Sequence, residues 1–267
     1  MHPIEQLRYV ARANGADAGI LVQEAASGLS VFHNDRPALL TGVRRLLTRQ
    51  PTVGPLWWMG ARLVAAGEVR AESRQIIDEL RKDPTAKELA YAIPDTAPTV
   101  AFAGWPDTIV RALPKRGDIR ALVVDIEGQG RPVVRRLDSQ DVDIEDVDPA
   151  QMAGVVEDSD LICIEAAAAG PAAAVVDVGC VALAATAKAL SKPVWLVVSR
   201  GRALPEMFWQ EIAHRAVDAD LPPWLSPHEV LSYGLVDRFI TDNGPTSLAD
   251  FKPAEMPATS EITKPLT

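Results

Sequence analysis

From Asp35 to Ile93 apolar side chains return every three or four positions. In 35–50 (DRPALLTGVRRLLTRQ) Leu39, Leu40, Val43, Leu46 and Leu47 make one stripe, with Arg44, Arg45 and Arg49 opposite, which predicts a helix with one face on a core. Asp35 stands where a carboxylate caps the first turn, and Pro37 falls inside that turn, where a missing N–H costs nothing. Residues 53–67 (VGPLWWMGARLVAAG) are apolar almost all round, so this helix is expected to be buried on most faces and to end at Gly67. A further helix from about Val69 to Lys82 aligns Ile76, Ile77 and Leu80 and stops at Asp83-Pro84, and another runs from about Thr85 to Ile93. No strand pattern interrupts them, so residues 1–93 read as a helical domain.

The pattern changes after the Pro-bounded linker 94–98 (PDTAP). Short, almost continuous apolar runs at about 98–103, 119–125, 160–165, 193–198 and 235–240 predict buried parallel strands. Helical segments fall between them, near 107–113, 148–157, 177–190 and 205–217, and a short strand near Val142–Glu145 fits the remaining gap. The expected fold class is therefore α/β: an N-terminal helical domain, then a Rossmann-like, doubly wound, mainly parallel sheet over 94–245. Residues 246–267, rich in Pro, Thr and Ser, are expected to fray.

Composition narrows the chemistry. With 48% apolar residues, the 267-residue chain has enough for a full core. A formal charge of −9 opposes nucleic acid and anionic membrane surfaces as partners. Part of that charge sits in 138–148 (DSQDVDIEDVD), either a solvated loop or an acidic docking site. Cys163 and Cys180 cannot make a disulfide framework or a four-ligand zinc site, and the four histidines are scattered, so no metal is expected. No apolar run reaches the roughly 18 residues of a membrane span, and no signal pattern opens the chain, which makes the cytoplasm the expected location.

In an open parallel sheet ligands bind beyond the carboxyl ends of the strands, where strand order reverses. The first strand is followed by Gly104-Trp105-Pro106-Asp107, with Asp107 the expected N-cap. There is no GxGxxG, so no dinucleotide cofactor is predicted. The second strand ends at Asp125, with Glu127 and Arg131 close behind; a carboxylate here either binds a ribose hydroxyl or is an ordinary strand-end Asp. Glu165, at the end of the third, is the candidate catalytic acid–base group. Gly179 and Cys180 stand near a helix N-terminus, where N–H groups attract anions and a thiol pKa can fall; the alternatives are a helix capped by Asp177 and a packed cysteine. Arg200 and Arg202, flanking Gly201 after the fourth strand, are the candidate anion clamp, against the simpler reading of loop arginines at the surface.

The order of these pieces resembles a known family. DLICIEAAAAGPAAAVVDVGCVALAATAKALSKPVWLVVSRGRALP (160–205) is similar to the signature region shared by three relatives. These are the α/β/δ subunits of translation initiation factor two-B, methylthioribose-1-phosphate isomerase and ribose-1,5-bisphosphate isomerase. TVAFAGWPDTIVRAL (99–113), IRALVVDIEGQGRP (119–132) and VDRFITDNG (236–244) resemble three further family segments, so the likeness spans roughly 35–245. The resemblance implies the helical domain plus Rossmann-like sheet, and places Gly104 among the ligand-binding positions. It puts Gly104 where the isomerases carry a cysteine, Ala166 at the family's aspartate with Glu165 beside it, and Val176-Asp177 at its Asn-Lys pair. Gly179 is kept, Cys180 replaces a threonine, and Arg202 stands near the family's later lysine. The implied protein is a non-catalytic binding or regulatory homolog that pairs as a homodimer through its C-terminal domain and takes a sugar phosphate or nucleotide. The alternative is an isomerase-like enzyme of altered chemistry using Glu165, and a nicotinamide oxidoreductase ranks last.

Overall fold

The computed structural model describes Leu7, Val10 and residues 17–216 and 221–264. Among the described residues five helices with full bounds build the first third: α1 (Ala18–Leu29), α2 (Arg36–Arg49), α3 (Gly54–Ala65), α4 (Val69–Arg81) and α5 (Thr85–Ala92); residues 1–6, 8–9 and 11–16 of the predicted helical domain lie outside the described residues. The Asp35 carboxylate accepts the Ala38 N–H at 2.9 Å and Pro37 lies in the first turn of α2, as the pattern predicts. Asp17 caps α1 in the same way, accepting from Ile20 at 3.0 Å. In α3 every residue from Gly54 to Ala61 is buried, which explains its all-round apolar sequence.

The main sheet uses β1 (Thr99–Ala103), β2 (Arg120–Val124), β3 (Asp143–Val147), β4 (Leu161–Glu165), β7 (Val194–Val197), β9 (Arg238–Thr241) and β10 (Gly244–Thr246). Their order is β10-β9-β7-β4-β1-β2-β3, parallel except for β10. Crossovers are made by α6 (Asp107–Ala112), α7 (Gly130–Asp138), α8 (Met152–Asp158) and α9 (Cys180–Ala189), and α10 (Glu206–Ala216) follows β7. The chain winds outward from β1 to β3 and then returns to place β4 on the other side of β1. The order therefore reverses between β1 and β4, where a ligand crevice belongs. Among the described residues no helix is long and apolar enough to cross a membrane.

Several elements depart from the sequence reading, among them α7, which lies where no helix is predicted. A second, three-stranded antiparallel sheet forms from β5 (Ala168–Ala169), β6 (Ala173–Asp177) and β8 (His228–Ser232), none of which the apolar pattern signals. Its alanines carry no alternation, and the ladder to β8, distant in sequence, supplies the strand conformation. The last predicted strand is displaced to Arg238–Thr241 because Tyr233–Leu235 forms a 3₁₀ turn, and the predicted helix at 177–190 begins only at Cys180. The short strand expected near Val142–Glu145 does form, as the edge strand β3 within the acidic run 138–148, and its Asp143, Glu145 and Asp146 face solvent and blunt the edge against pairing with other chains.

Three apolar clusters hold the elements together. One joins α1–α4 to α10 through Leu56, Trp57, Met59 and Phe208. The other two cover the two faces of the main sheet, and α5 belongs to one of them, with Leu89 and Ile93 among Val100, Phe102 and Val123. The C-terminal segment lies back on the helices: Ile262 is buried in the helical cluster, and the Glu261 carbonyl accepts from Arg44 Nε at 2.8 Å.

Candidate functional site

A cavity of about 680 Å³ opens at the carboxyl ends of β1 and β4, walled by the turn after β2, the end of β6, and Ala18, Leu21, Thr52 and Val53 of the helical part. Of the predicted site residues, Gly104, Glu127, Glu165 and Arg202 line it.

Glu165 ends β4 with its side chain only 5% exposed. It accepts hydrogen bonds from the Thr108 N–H at 2.7 Å and the Thr108 hydroxyl at 3.0 Å, with the Ile109 N–H at 3.4 Å. Arg202 Nη2 lies 2.7 Å from Glu165 Oε1, the oxygen that also accepts from the Thr108 hydroxyl, and Arg202 also donates to the Ala166 carbonyl. A carboxylate so fully engaged serves as an anchor rather than as a free base. Glu165 thus takes the capping role expected of Asp107, satisfying the first N–H groups of α6 from a neighbouring strand. Asp107 instead accepts from the Ala18 N–H at 3.3 Å and lines the cavity. Burial, then the charges of Glu165 and Asp17, push its pKa up to about 7, with Arg202 and the Ala18 N–H working against them.

The anion-clamp reading of the two arginines is not what the fold builds. Arg200 lies outside the cavity wall, pairs with Asp242 at 2.7 Å and has Glu79 at 3.9 Å, tying β9 and α4 to the loop. Arg202 enters the cavity already paired with Glu165. Asp125 also lies outside it and caps α7 by accepting the Gly130 N–H at 2.7 Å, while Arg131 is exposed and outside the wall.

The start of α9 is likewise not an anion site. Gly179, at φ +88°, caps it without a side chain, and the Val181 N–H is taken by Glu229 at 2.9 Å. That left-handed φ favours glycine at position 179, where a Cβ would also meet Ile126 Cδ1 at 2.7 Å. Burial pushes the Cys180 thiol well above its ordinary value, with Asp177, Glu229 and Glu165 adding to the shift, so this cysteine is packed rather than activated.

The sequence reading singled out neither Thr52 nor His228, and it took Asp177 as a helix cap. Asp177 ends β6 directly opposite His228 in the β6–β8 ladder, so it does not cap α9. Its Oδ1 lies 3.3 Å from His228 Nδ1, and Nε2 of the same ring lies 2.8 Å from the Thr52 hydroxyl. All three line the cavity. No local motif signals them, because the group exists only through the pairing of β6 with β8 and the docking of the segment before α3. Among the described residues no group of His, Cys, Asp and Glu is arranged to hold a metal ion.

No family model matches this sequence, and no curated protein is significantly similar to it in sequence. Solved structures do match in shape. The translation initiation factor eIF-2B of Pyrococcus horikoshii OT3 superposes with a TM-score of 0.75 at 14% identity, covering 92% of this chain and 96% of that one. The eIF2B beta subunit of Chaetomium thermophilum gives 0.69 at 16% identity, covering 92% and 88%. The 5-methylthioribose 1-phosphate isomerase of Pyrococcus horikoshii OT3 gives 0.64 at 15% identity, covering 92% and 84%. The chain therefore has the fold common to these initiation-factor subunits and this isomerase.

Proposed function

We propose that this chain is a binding or regulatory protein of the initiation-factor-two-B-like kind, which holds a small polar ligand in the cavity and does not isomerise it. One observation carries the reading: the cavity stands at the switch point of the sheet, yet Gly104 presents no thiol there and Glu165 is held by Thr108 and Arg202. Site and volume are those of a ligand pocket, while the side chains that would shuttle protons in an isomerase are missing or engaged. Assembly as a homodimer through the C-terminal part belongs to the same proposal; Trp224, Leu225 and Val230 are exposed apolar side chains there for a second copy to cover.

A thermal-shift screen against ribose 5-phosphate, AMP, 5-methylthioribose 1-phosphate, unphosphorylated sugars and amino sugars tests the binding part, since a ligand of the native state raises the melting temperature by mass action. Incubation with 5-methylthioribose 1-phosphate should leave it unchanged, and conversion to the ketose would overturn the non-catalytic part. An enzyme of altered chemistry is the second reading. Its support is Asp107, which faces the cavity with a pKa near neutrality, the value that suits a general acid or base.

A further inference from the structure

We propose that Thr52, His228 and Asp177 form a hydrolytic centre on the cavity wall, in which the Thr52 hydroxyl takes up the acyl group of a short-chain carboxylic ester. The Thr52 hydroxyl lies 2.8 Å from His228 Nε2, and His228 Nδ1 lies 3.3 Å from Asp177 Oδ1. A hydroxyl within reach of a base that a carboxylate orients is the arrangement that turns an alcohol into a nucleophile, whatever the fold. All three residues line the cavity. The inference goes beyond the binding reading and uses none of the residues on which that reading stands.

The place of Thr52 in the chain supplies the rest of the centre. It stands just before α3, whose N-cap is Val53, and no side chain caps that helix. A threonine at a helix start commonly gives its hydroxyl oxygen to the first N–H groups; here the hydroxyl meets the His228 ring instead. Of the first donors of α3, the Gly54 N–H goes to the Ala167 carbonyl at 3.1 Å and the Leu56 N–H to the Val53 carbonyl at 3.0 Å, and Pro55 has none. The Val53 N–H has no acceptor among the described residues, follows the nucleophile in the chain, and belongs to a residue of the cavity wall. Backed by the positive end of a 12-residue helix, it is the donor for the oxyanion that forms on the attacked carbonyl.

Asp177 orients the base. His228 Nδ1 is shut off from solvent and has no aligned hydrogen-bond partner, so the 3.3 Å contact is in reach but out of line. The Asp177 side chain, 56% exposed, is able to turn onto it, and contacts of this kind often straighten only around a substrate. With Nδ1–H toward Asp177, Nε2 presents its lone pair to the Thr52 hydroxyl. Thr52 Oγ1 bonds to the acyl carbon as its proton passes to Nε2. The bond from that carbon to the ester oxygen then breaks, and the leaving alkoxide takes the proton from Nε2. Water repeats the attack on the acyl-threonine, giving a proton to Nε2 that returns to Oγ1, so ester and water become acid and alcohol. Leu21, Val53 and Ala167 give the wall an apolar stretch for the acyl chain, and about 680 Å³ suits a small ester.

Hydrolysis of 4-nitrophenyl acetate by the full chain tests the centre. Thr52→Val and His228→Gln should each lower kcat/KM at least about 100-fold, and Thr52→Ser should keep the activity. Asp177 is a positioning residue: Asp177→Asn should lower kcat about tenfold with KM unchanged, and Asp177→Glu should regain most of it. Acid quenching during turnover should leave one acetyl group on the wild-type peptide that holds Thr52, a product that a purely structural threonine–histidine contact does not give. Thr52→Val keeps the shape of the side chain; should it fail to fold, the acetyl group on wild type and on Thr52→Ser decides. Equal rates for wild type and a folded Thr52→Val, or acetyl groups only on other residues, overturn the inference. That outcome together with a thermal shift in the ligand screen leaves the binding reading in place, and hydrolysis at Thr52 without any shift leaves this inference standing alone.

Discussion

Arg202 Nη2 lies 2.7 Å from Glu165 Oε1, with side chains 10% and 5% exposed, and this contact joins the end of β4 to the loop after β7 at the floor of the cavity. Removing one partner leaves the other charge buried and unpaired. Arg202→Met should therefore cost about 3–5 kcal/mol of stability in urea unfolding, and Glu165→Gln with Arg202→Met together should cost less than Arg202→Met alone. Equal unfolding midpoints for wild type and Arg202→Met would show that the pair is not formed.

Asp107 should make stability depend on pH in an unusual direction. Its pKa is about 7 in the folded chain against an ordinary 3.8, so between these values the native state binds the proton more strongly than the unfolded chain. Its contribution is most favourable below about pH 4, declines as pH rises through the window, and is fully lost above pH 7. Melting temperature measured from pH 4 to pH 8 should fall more steeply for wild type than for Asp107→Asn, and the variant should be the more stable of the two at pH 8. Parallel curves would refute the assignment.

Neither cysteine should behave as a reactive thiol. Burial pushes the Cys163 pKa to about 12 and that of Cys180 well above its usual value. Ellman's reagent at pH 8 should label the native chain slowly and both thiols at once after denaturation. Rapid labelling of one thiol in the folded protein would contradict the burial.

Ile262 tests the docking of the C-terminal segment. It is 1% exposed in the cluster that joins α1–α4 to α10, and its 3₁₀ turn, Ser260–Thr263, packs against α2. Ile262→Ala should cost about 2–5 kcal/mol by the loss of a buried side chain, read as a lower urea midpoint. A change within experimental error would mean that the segment frays as its Pro- and Thr-rich sequence implies.

The site was legible only in part, and the residues show why. Glu127, Glu165 and Arg202 were found from one topological rule, because strand ends can be located from apolar runs, and Gly104 came from the family resemblance. Asp125 and Arg200 satisfied the same rule and lie elsewhere, held by the Gly130 N–H and by Asp242. Nothing local separates Arg200 from Arg202. Only the packing of α4 and β9 against the one and of β4 against the other makes the distinction.

By itself the sequence determined the helical first third and the strands β1, β2, β4 and β7. An amphipathic stripe or a continuous apolar run is a local property, and each has few places to bury its face. The tertiary structure decided what those elements were for. It turned Ala173–Asp177 into a strand through its ladder with His228–Ser232, and so set Asp177 opposite His228. It brought Thr52 to that histidine across 176 residues, and Arg202 to Glu165. Charge, hydrogen bonding and acidity depend on separation and on exclusion of water, and both are fixed by packing between segments far apart in the chain.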